Sequence, residues 1–582
     1  MKTPCSRRAF LAASGAGGLA SLTGCATLGF DTAEPGAAAV VSQHSLATAV
    51  GIDLLEAGGT AADAAVGVAC ALSVVEPWFS SVLGGGTWAL YYEADNETVT
   101  SLDGVGPVGS KATADDYRSR ANSAGTHQAI VPGAFDGWMQ WLDRYGVLDV
   151  TAVLTPAIEL ARDGYPVSDE MARWLRIYAS EIADRPAAAA IYMPDGDLLS
   201  AGDTVFQHDM ADTFASIAAA ADDAREAGRS AAIDAARDYF YRGPIADAIV
   251  AFSDEHDGYL TQSDFHEFSA SIVEPLSIAY DNEIRVLQNP PNSQGITQLL
   301  ALNILKGFDL ASMEPADAIH LQVEALKLAF ADRHAHVGDP ERVEIPLTEL
   351  LDDAYATAQR DRIEMDRAQS WPIDSGIAES RASAVDAGHT TTFHIVDSAG
   401  NAAAVTTSLG AEFLVAGDTG VHLNNRMRMV ALDDDDPNRL TPGYKVRHTS
   451  NPYMALRNGR PFILGGNTGV DTQPQGQTQQ FLHAVAFGRD AQTAVDQPRF
   501  VSTAFPSTQY PYRVTNRLQV ESDFDDSVVD ELANRGHDIQ RGRGVFGSAN
   551  MLVVEADRSD IQVGAESRIS TADGRTRDPP GE

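Results

Sequence analysis

Positive charge is what this sequence most lacks. Its 582 residues carry 42 lysines and arginines against 81 aspartates and glutamates, a formal net charge of −39. A surface of that sign repels a polyanion, which excludes nucleic acid as a partner. Lysine itself is nearly absent: Lys2, Lys111, Lys306, Lys327 and Lys445 are the five, leaving 37 arginines. Such self-repulsion is tolerated in concentrated salt, where the screening length falls to about 3 Å at 1 M, so the composition reads as adaptation to a saline milieu. The run Asp433 to Asp436 belongs to the same surface, because it lacks the alternating ligands and the glycine of a calcium loop.

Cysteine and long apolar runs are scarce as well. Spanning a bilayer takes about 20 apolar residues, and the weakly apolar stretch that ends at Gly24 is too short for that. It follows Ser6-Arg7-Arg8-Ala9-Phe10-Leu11, the layout of a twin-arginine export signal, and it leads into Leu22-Thr23-Gly24-Cys25, which resembles a lipobox. Residues 1–24 are therefore expected to be a signal peptide. Cys25 is the expected lipidation site, with 25–37 as a tether to the outer face of the cell membrane. Of the three cysteines, Cys5 would be lost and Cys25 lipidated, while Cys70 sits in an apolar helix-like run. No intramolecular disulfide is expected, and Cys70 reads as a packing residue.

Small-residue helical spacing runs from Val40 to Val75 and breaks at Gly58-Gly59. Leu83-Gly84-Gly85-Gly86 then turns into the strand-like Trp88 to Tyr92; no Gly-Lys-Ser/Thr follows, so it is not a phosphate loop. Residues 130–340 read as mostly helical, with Thr151 to Arg162, Asp209 to Ala221 and Ala318 to Arg333 the clearest stretches. His334 and His336 read as a polar helix end rather than metal ligands. After a polar segment, Thr390 to Asp397 and Ala402 to Leu409 alternate about the turn sequence Ser398-Ala399-Gly400-Asn401, a hairpin pattern. Residues 571–582 are expected to be a disordered tail.

Gly388-His389-Thr390-Thr391-Thr392-Phe393, followed by Val396-Asp397 and Gly400-Asn401, resembles the processing site of the γ-glutamyltransferases. The resemblance extends, in order, through Gly58-Gly59-Thr60-Ala61-Ala62-Asp63, Leu83-Gly84-Gly85-Gly86, Val131-Pro132-Gly133, Ser293-Gln294-Gly295, Glu324 to Arg333, Leu423-Asn424-Asn425 and Gln497-Pro498-Arg499-Phe500. It implies an α/β fold, the four-layer αββα sandwich of the N-terminal-nucleophile hydrolases. One precursor would be cleaved between His389 and Thr390 into a large part, 38–389, and a small part, 390–570.

The implied activity is hydrolysis or transfer of γ-glutamyl amides, with water or an amine as acceptor and no metal or organic cofactor. Threonine at a new N-terminus suits that chemistry. Its hydroxyl is a weak nucleophile that needs a base, and a free α-amine with pKa near 7.7 to 8.0 supplies one on the same residue. In the uncut chain that nitrogen is an amide and cannot serve. Thr390 is thus the implied nucleophile, with Thr391 as fallback. Ser408 falls where the family has a second threonine beside the nucleophile, and Thr406 shares its strand face. Gly469 and Val470 correspond to the turn whose N–H groups hold the oxyanion; Val470 replaces a glycine, so its donor is expected to survive only if the turn needs no positive φ there. Asn425, Arg426, His448 and Thr449 fall in the acyl pocket.

That pocket departs from the family pattern. Asp103 stands where an arginine holds the substrate carboxylate, Met429 where an aspartate holds its amine, Gly410 where an asparagine accompanies the nucleophile, and His448-Thr449 where a serine pair stands. Two alternatives therefore stay open: an acylase for another amide, such as a glutaryl or cephalosporin amide, and an uncut, inactive lipoprotein with a binding role.

Overall fold

Two antiparallel sheets stacked face to face form the middle of the computed structural model, which describes residues 36–121, 123–377, 390–410, 412–542 and 546–578. Residues 1–24, expected to be a signal peptide, Cys25 and His389 lie outside the described residues. One sheet has seven strands in the order Asp573–Arg577, Ala38–Ser42, Thr391–Val396, Ala402–Ser408, Gly86–Glu93, Thr98–Gly104, Ser271–Val273. The other has six, in the order Ile561–Ala565, Ala549–Val554, Arg460–Asn467, Tyr453–Arg457, Ile284–Gln288, Leu276–Ala279. Val41, Leu90, Val396 and Ala404 from the first meet Met454, Leu464 and Leu552 from the second in one apolar layer. Helices Ala61–Val75, Ala134–Tyr145 and Val150–Asp163 share a core with Ala403, Val405 and Phe393 on the outer face of the first sheet. Helices Ile296–Leu305, Pro315–His336 and Thr472–Val485 do so with Val286, Ala455 and Ile463 of the second. The layers are helix, sheet, sheet, helix, the αββα sandwich.

Local chemistry sets the elements nearest the Thr391–Val396 strand. Thr60 and Asp63 form a capping box at the head of helix Ala61–Val75, with Thr60 N–H donating to Asp63 Oδ2 at 2.8 Å. The next donor, Ala61 N–H, is taken by Asp397 Oδ2 at 2.9 Å. Asp397 also accepts from the N–H groups of Ala399 and Asn401 and from the Asn401 amide, so one carboxylate closes the hairpin turn and ties it to the helix. Cys70 is buried inside that helix.

Two expectations are corrected. The tail begins later than residue 571: Asp573–Arg577 pairs antiparallel with Ala38–Ser42 as an edge strand. Asp-Gly-Arg-Thr-Arg shows no apolar alternation, because its place rests on backbone hydrogen bonds at a half-exposed edge. Within the stretch read as mostly helical, Ser271–Val273, Leu276–Ala279 and Ile284–Gln288 are strands, too short for a period of two to register among flanking helices.

Helix Ala61–Val75 ends at Glu76, whose buried carboxylate accepts a hydrogen bond from Thr391 Oγ1 at 2.9 Å. Burial pushes the Glu76 carboxyl up to about 8, the Thr391 bond opposing and Glu170 adding to the rise. The unfolded value is about 4.3. The folded state therefore keeps a proton that the unfolded chain has released, so this contribution to stability is full below about pH 4.3 and is lost as pH rises through about 8. Glu76→Gln removes the titration. Its melting temperature is expected to gain on the wild type from about pH 5 to pH 8 and then level off, and a difference that stays constant in thermal melts across that range would refute the assignment.

Candidate active site

Pairing register decides which threonine faces the reaction. Thr392 stands opposite Thr406 and Thr391 opposite Thr407. Side chains alternate along a strand, so Thr390, Thr392, Thr406 and Ser408 turn toward the second sheet while Thr391 turns to Glu76 and the helices. Gly466 on the facing strand is needed for that closure: a Cβ there would stand 2.0 Å from Thr392 Oγ1. Thr390 is 1% exposed. Its Oγ1 lies 3.2 Å from Ser408 Oγ and accepts from Gln473 Nε2 at 3.3 Å. Thr406 does not meet it; its hydroxyl lies 3.4 Å from that of Thr392, one rung away.

The turn before helix Thr472–Val485 carries Gly469 at φ +95° and Val470 at φ +46°. The turn does require positive φ at residue 470, contrary to the condition set above, and valine adopts it. A β-branched residue there is strained, yet strain in φ leaves the N–H in place. Among the described residues neither amide donates to a protein acceptor. A left-handed residue followed by a right-handed one, Val470 and then Asp471 at φ −78° and ψ −7°, turns successive N–H groups to one side at a helix start, a nest suited to an anion. Gln473, in the first turn of that helix, links it to Thr390.

Arg426 closes the other side. Its guanidinium is 2% exposed, with Nη1 donating to Ser408 Oγ at 2.8 Å and Nη2 to Asn425 Oδ1 at 2.6 Å. Burial lowers it to about 9, with Arg428 adding and Glu412 opposing. Among the described residues it has no carboxylate partner; Glu412 pairs with Arg428 at 3.3 Å instead. Gly410, at φ +105°, lets the chain pass Asn425, since a Cβ would lie 2.1 Å from Asn425 Oδ1. His448 is buried and accepts from Ser450 N–H at Nδ1, which places its proton on Nε2. Burial and then Arg426 hold it well below its ordinary value, hence neutral. Its Nε2 and Thr449 Oγ1 have no partner among the described residues. Asp103 pairs with Lys445 Nζ at 2.6 Å and Met429 is buried.

Sequence reasoning missed Gln473, Glu76 and Gln294. A signal existed for the first: Gln473, Gln475, Gln477, Gln479 and Gln480 crowd one helix, and all are buried. Such density of amides in a core calls for partners. Among the described residues one group has metal-ligand chemistry, His320, Glu324 and His537. Yet His320 Nδ1 and His537 Nε2 are 2.8 Å apart, whereas two nitrogens on one tetrahedral zinc stand about 3.3 Å apart. Glu324 is taken by Lys327 Nζ at 2.6 Å and Gln369 N–H at 3.1 Å. The group is a hydrogen-bonded network, not a cation cradle.

Comparison with known proteins agrees with this geometry. The family described as Gamma-glutamyltranspeptidase matches residues 47–574. A glutathione hydrolase-like YwrD proenzyme of Bacillus subtilis is 34% identical over 545 residues, 91% of this chain and 96% of that protein. An acylase ACY 1 proenzyme of a Pseudomonas species is 32% identical, over 89% of this chain and 90% of its own. The crystal structure of cephalosporin acylase from Bacillus halodurans superposes with a TM-score of 0.82 at 29% identity, covering 97% of this chain and 99% of that one. With a buried threonine hydroxyl on the inner sheet face and this match along its length, the chain belongs to the gamma-glutamyltranspeptidase family of N-terminal-nucleophile enzymes.

Proposed function

We propose that this chain is a precursor that cuts itself between His389 and Thr390 and then cleaves γ-glutamyl amides of the glutathione kind through a threonyl ester, passing the acyl group to water or an amine. The observation that carries this reading is the position of Thr390 Oγ1, buried between Ser408 Oγ and Gln473 Nε2 at the head of the inner strand. In the precursor, Oγ1 attacks the His389 carbonyl, the acyl group shifts from nitrogen to oxygen, and water hydrolyses the ester. The freed α-amine then takes the hydroxyl proton as Oγ1 adds to the substrate carbonyl. The oxyanion is received by the N–H groups of Gly469 and Val470. Collapse expels the amine, which the ammonium protonates, and the acceptor adds to the ester by the same route. Glutathione hydrolase-like and acylase relatives support the reaction type.

A second reading concerns the acyl group and is favoured by Arg426, a buried guanidinium without a carboxylate partner among the described residues. With Met429 in one recognition place and the Asp103 carboxylate of the other already paired with Lys445, a substrate ammonium finds no free counter-charge there, whereas a terminal carboxylate finds Arg426. We also propose export and a lipid anchor at Cys25, supported by Arg7-Arg8 and Leu22-Thr23-Gly24-Cys25. Among the described residues no helix is long and apolar enough to cross a membrane.

Mature protein is expected as two chains, the smaller beginning Thr-Thr-Thr-Phe, while Thr390→Ala stays single. Edman sequencing checks this: another start relocates the nucleophile, and a wild type that never cuts favours the binding lipoprotein. Cys25→Ser is expected to leave the membrane fraction, and retention after a high-salt wash rules out the anchor. Glutaryl-p-nitroanilide is expected to be cleaved at least as efficiently as γ-glutamyl-p-nitroanilide. An unpaired buried charge forgoes a hydrogen bond of about 1.5 to 3 kcal/mol, so a γ-glutamyl preference in kcat/KM above about tenfold, some 1.4 kcal/mol, defeats the second reading.

A further inference from the structure

Arg333 lies near the end of helix Pro315–His336, wholly buried, yet it touches none of the groups that would meet a substrate. Its Nη1 donates to Gln294 Oε1 at 2.8 Å, to Thr508 Oγ1 at 2.9 Å and to the Asp471 carboxylate. Its Nη2 donates to Pro506 O at 2.7 Å. The guanidinium lies 4.5 Å from the centre of the Phe330 ring and 5.7 Å from that of Phe505, two rings stacked at 3.6 Å. We propose that Arg333 is a positioning residue for the oxyanion turn, holding Gly469 and Val470 in the conformation that presents their N–H groups to the reaction. This rests on the reading of Thr390 as nucleophile and of that turn as its oxyanion site.

Two arms run from Arg333 to the turn. The first sets an amide. Arginine has donors only, so Gln294 must offer Arg333 its oxygen, and its Nε2 is thereby aimed at Val470 O, 2.8 Å, and Thr449 O, 3.1 Å. A flipped amide would set oxygen against two carbonyls. The second arm holds a side chain: Asp471, the residue after Val470, is gripped by Arg333 and by Thr508, whose N–H and Oγ1 donate at 2.7 and 2.6 Å. The carbonyl of Val470 and the carboxylate of its successor are thus both anchored to one guanidinium.

That double anchor answers a physical need. Val470 sits at φ +46°, and a strained non-glycine residue persists only where its surroundings over-determine it. Released, the turn would relax toward negative φ, turning an oxyanion donor away and carrying Gln473 off Thr390. Gln294 also ties the turn to the backbone of Thr449, so Arg333 sets the spacing between the oxyanion donors and the wall of the acyl pocket.

The test uses mature protein, the anilide that the wild type cleaves best, and the variants Arg333→Lys, Gln294→Glu and their combination. Lysine keeps a charge for Asp471 and loses the fork. Glutamate keeps the Arg333 contact and loses both donors to the carbonyls, which serves if Arg333→Lys does not fold. Each single variant is expected to lower kcat by about 100- to 1,000-fold, the range of a lost oxyanion donor, with KM within about threefold of wild type. The combination is expected to be no worse than about threefold below the slower single, because both act through one amide. Val153→Ala, in the helix layer of the other sheet, serves as the stability control, lowering the melting temperature without this loss in kcat. A kcat within threefold of wild type in Arg333→Lys, losses that multiply in the combination, or losses matched by Val153→Ala overturn the proposal. Activity surviving in Thr390→Ala would instead overturn the nucleophile on which it rests.

Discussion

Asp397 receives hydrogen bonds from Ala61, Ala399 and both nitrogens of Asn401, and the site depends on what those bonds fix. They close the turn between the Thr391–Val396 and Ala402–Ser408 strands and set its register against the helix layer. A slip of one residue would exchange the faces of the sheet. Thr390 and Ser408 would then point at the helices, and Thr391 at the second sheet. Everything described around the nucleophile, from Gln473 to Arg426, presupposes this register. Gly466 extends the same constraint to the opposite sheet, since no side chain fits between it and Thr392.

Around that hairpin the interior is unusually polar. Thr390, Ser408, Arg426, His448, Gln473, Gln294, Arg333 and Asp471 are all buried. Buried polar groups cost several kcal/mol each when unpaired, so most of them bond to one another or to backbone carbonyls. The exceptions are informative. Among the described residues His448 Nε2, Thr449 Oγ1 and Arg426 Nε lack partners around Ser408, and Gln473 Oε1 and Arg333 Nε lack them around the turn at Gly469 and Val470. The buried Asp103 carboxylate is paired with Lys445, one of five lysines in the sequence.

Much of the site was legible in the sequence because its parts lie close together in the chain. The hairpin, the turn at Gly400-Asn401, the helix break at Gly58-Gly59 and the threonine run are local patterns, and local backbone preferences act within a few residues. The small residues of Ala61–Val75 announced a buried helix for the same reason. Legibility failed where the signal was either too short or too far away. Asp573–Arg577 has no pattern of its own and is held by the backbone of Ala38–Ser42, more than 500 residues earlier. Gln473 reaches Thr390 across 83 positions, and Arg333 reaches Asp471 across 138.

By itself, then, the sequence determined the acidic, lysine-poor surface and the helical and hairpin segments, since composition and short-range periodicity carry these. Only the tertiary structure decided that Thr390 rather than Thr391 faces Ser408, that Thr406 stops one rung short, that valine holds positive φ at residue 470 and that Arg426 is left without a carboxylate. Each of those outcomes depends on which strands pair and which side chains meet across the sandwich. Long-range packing sets such contacts, and no local preference encodes them.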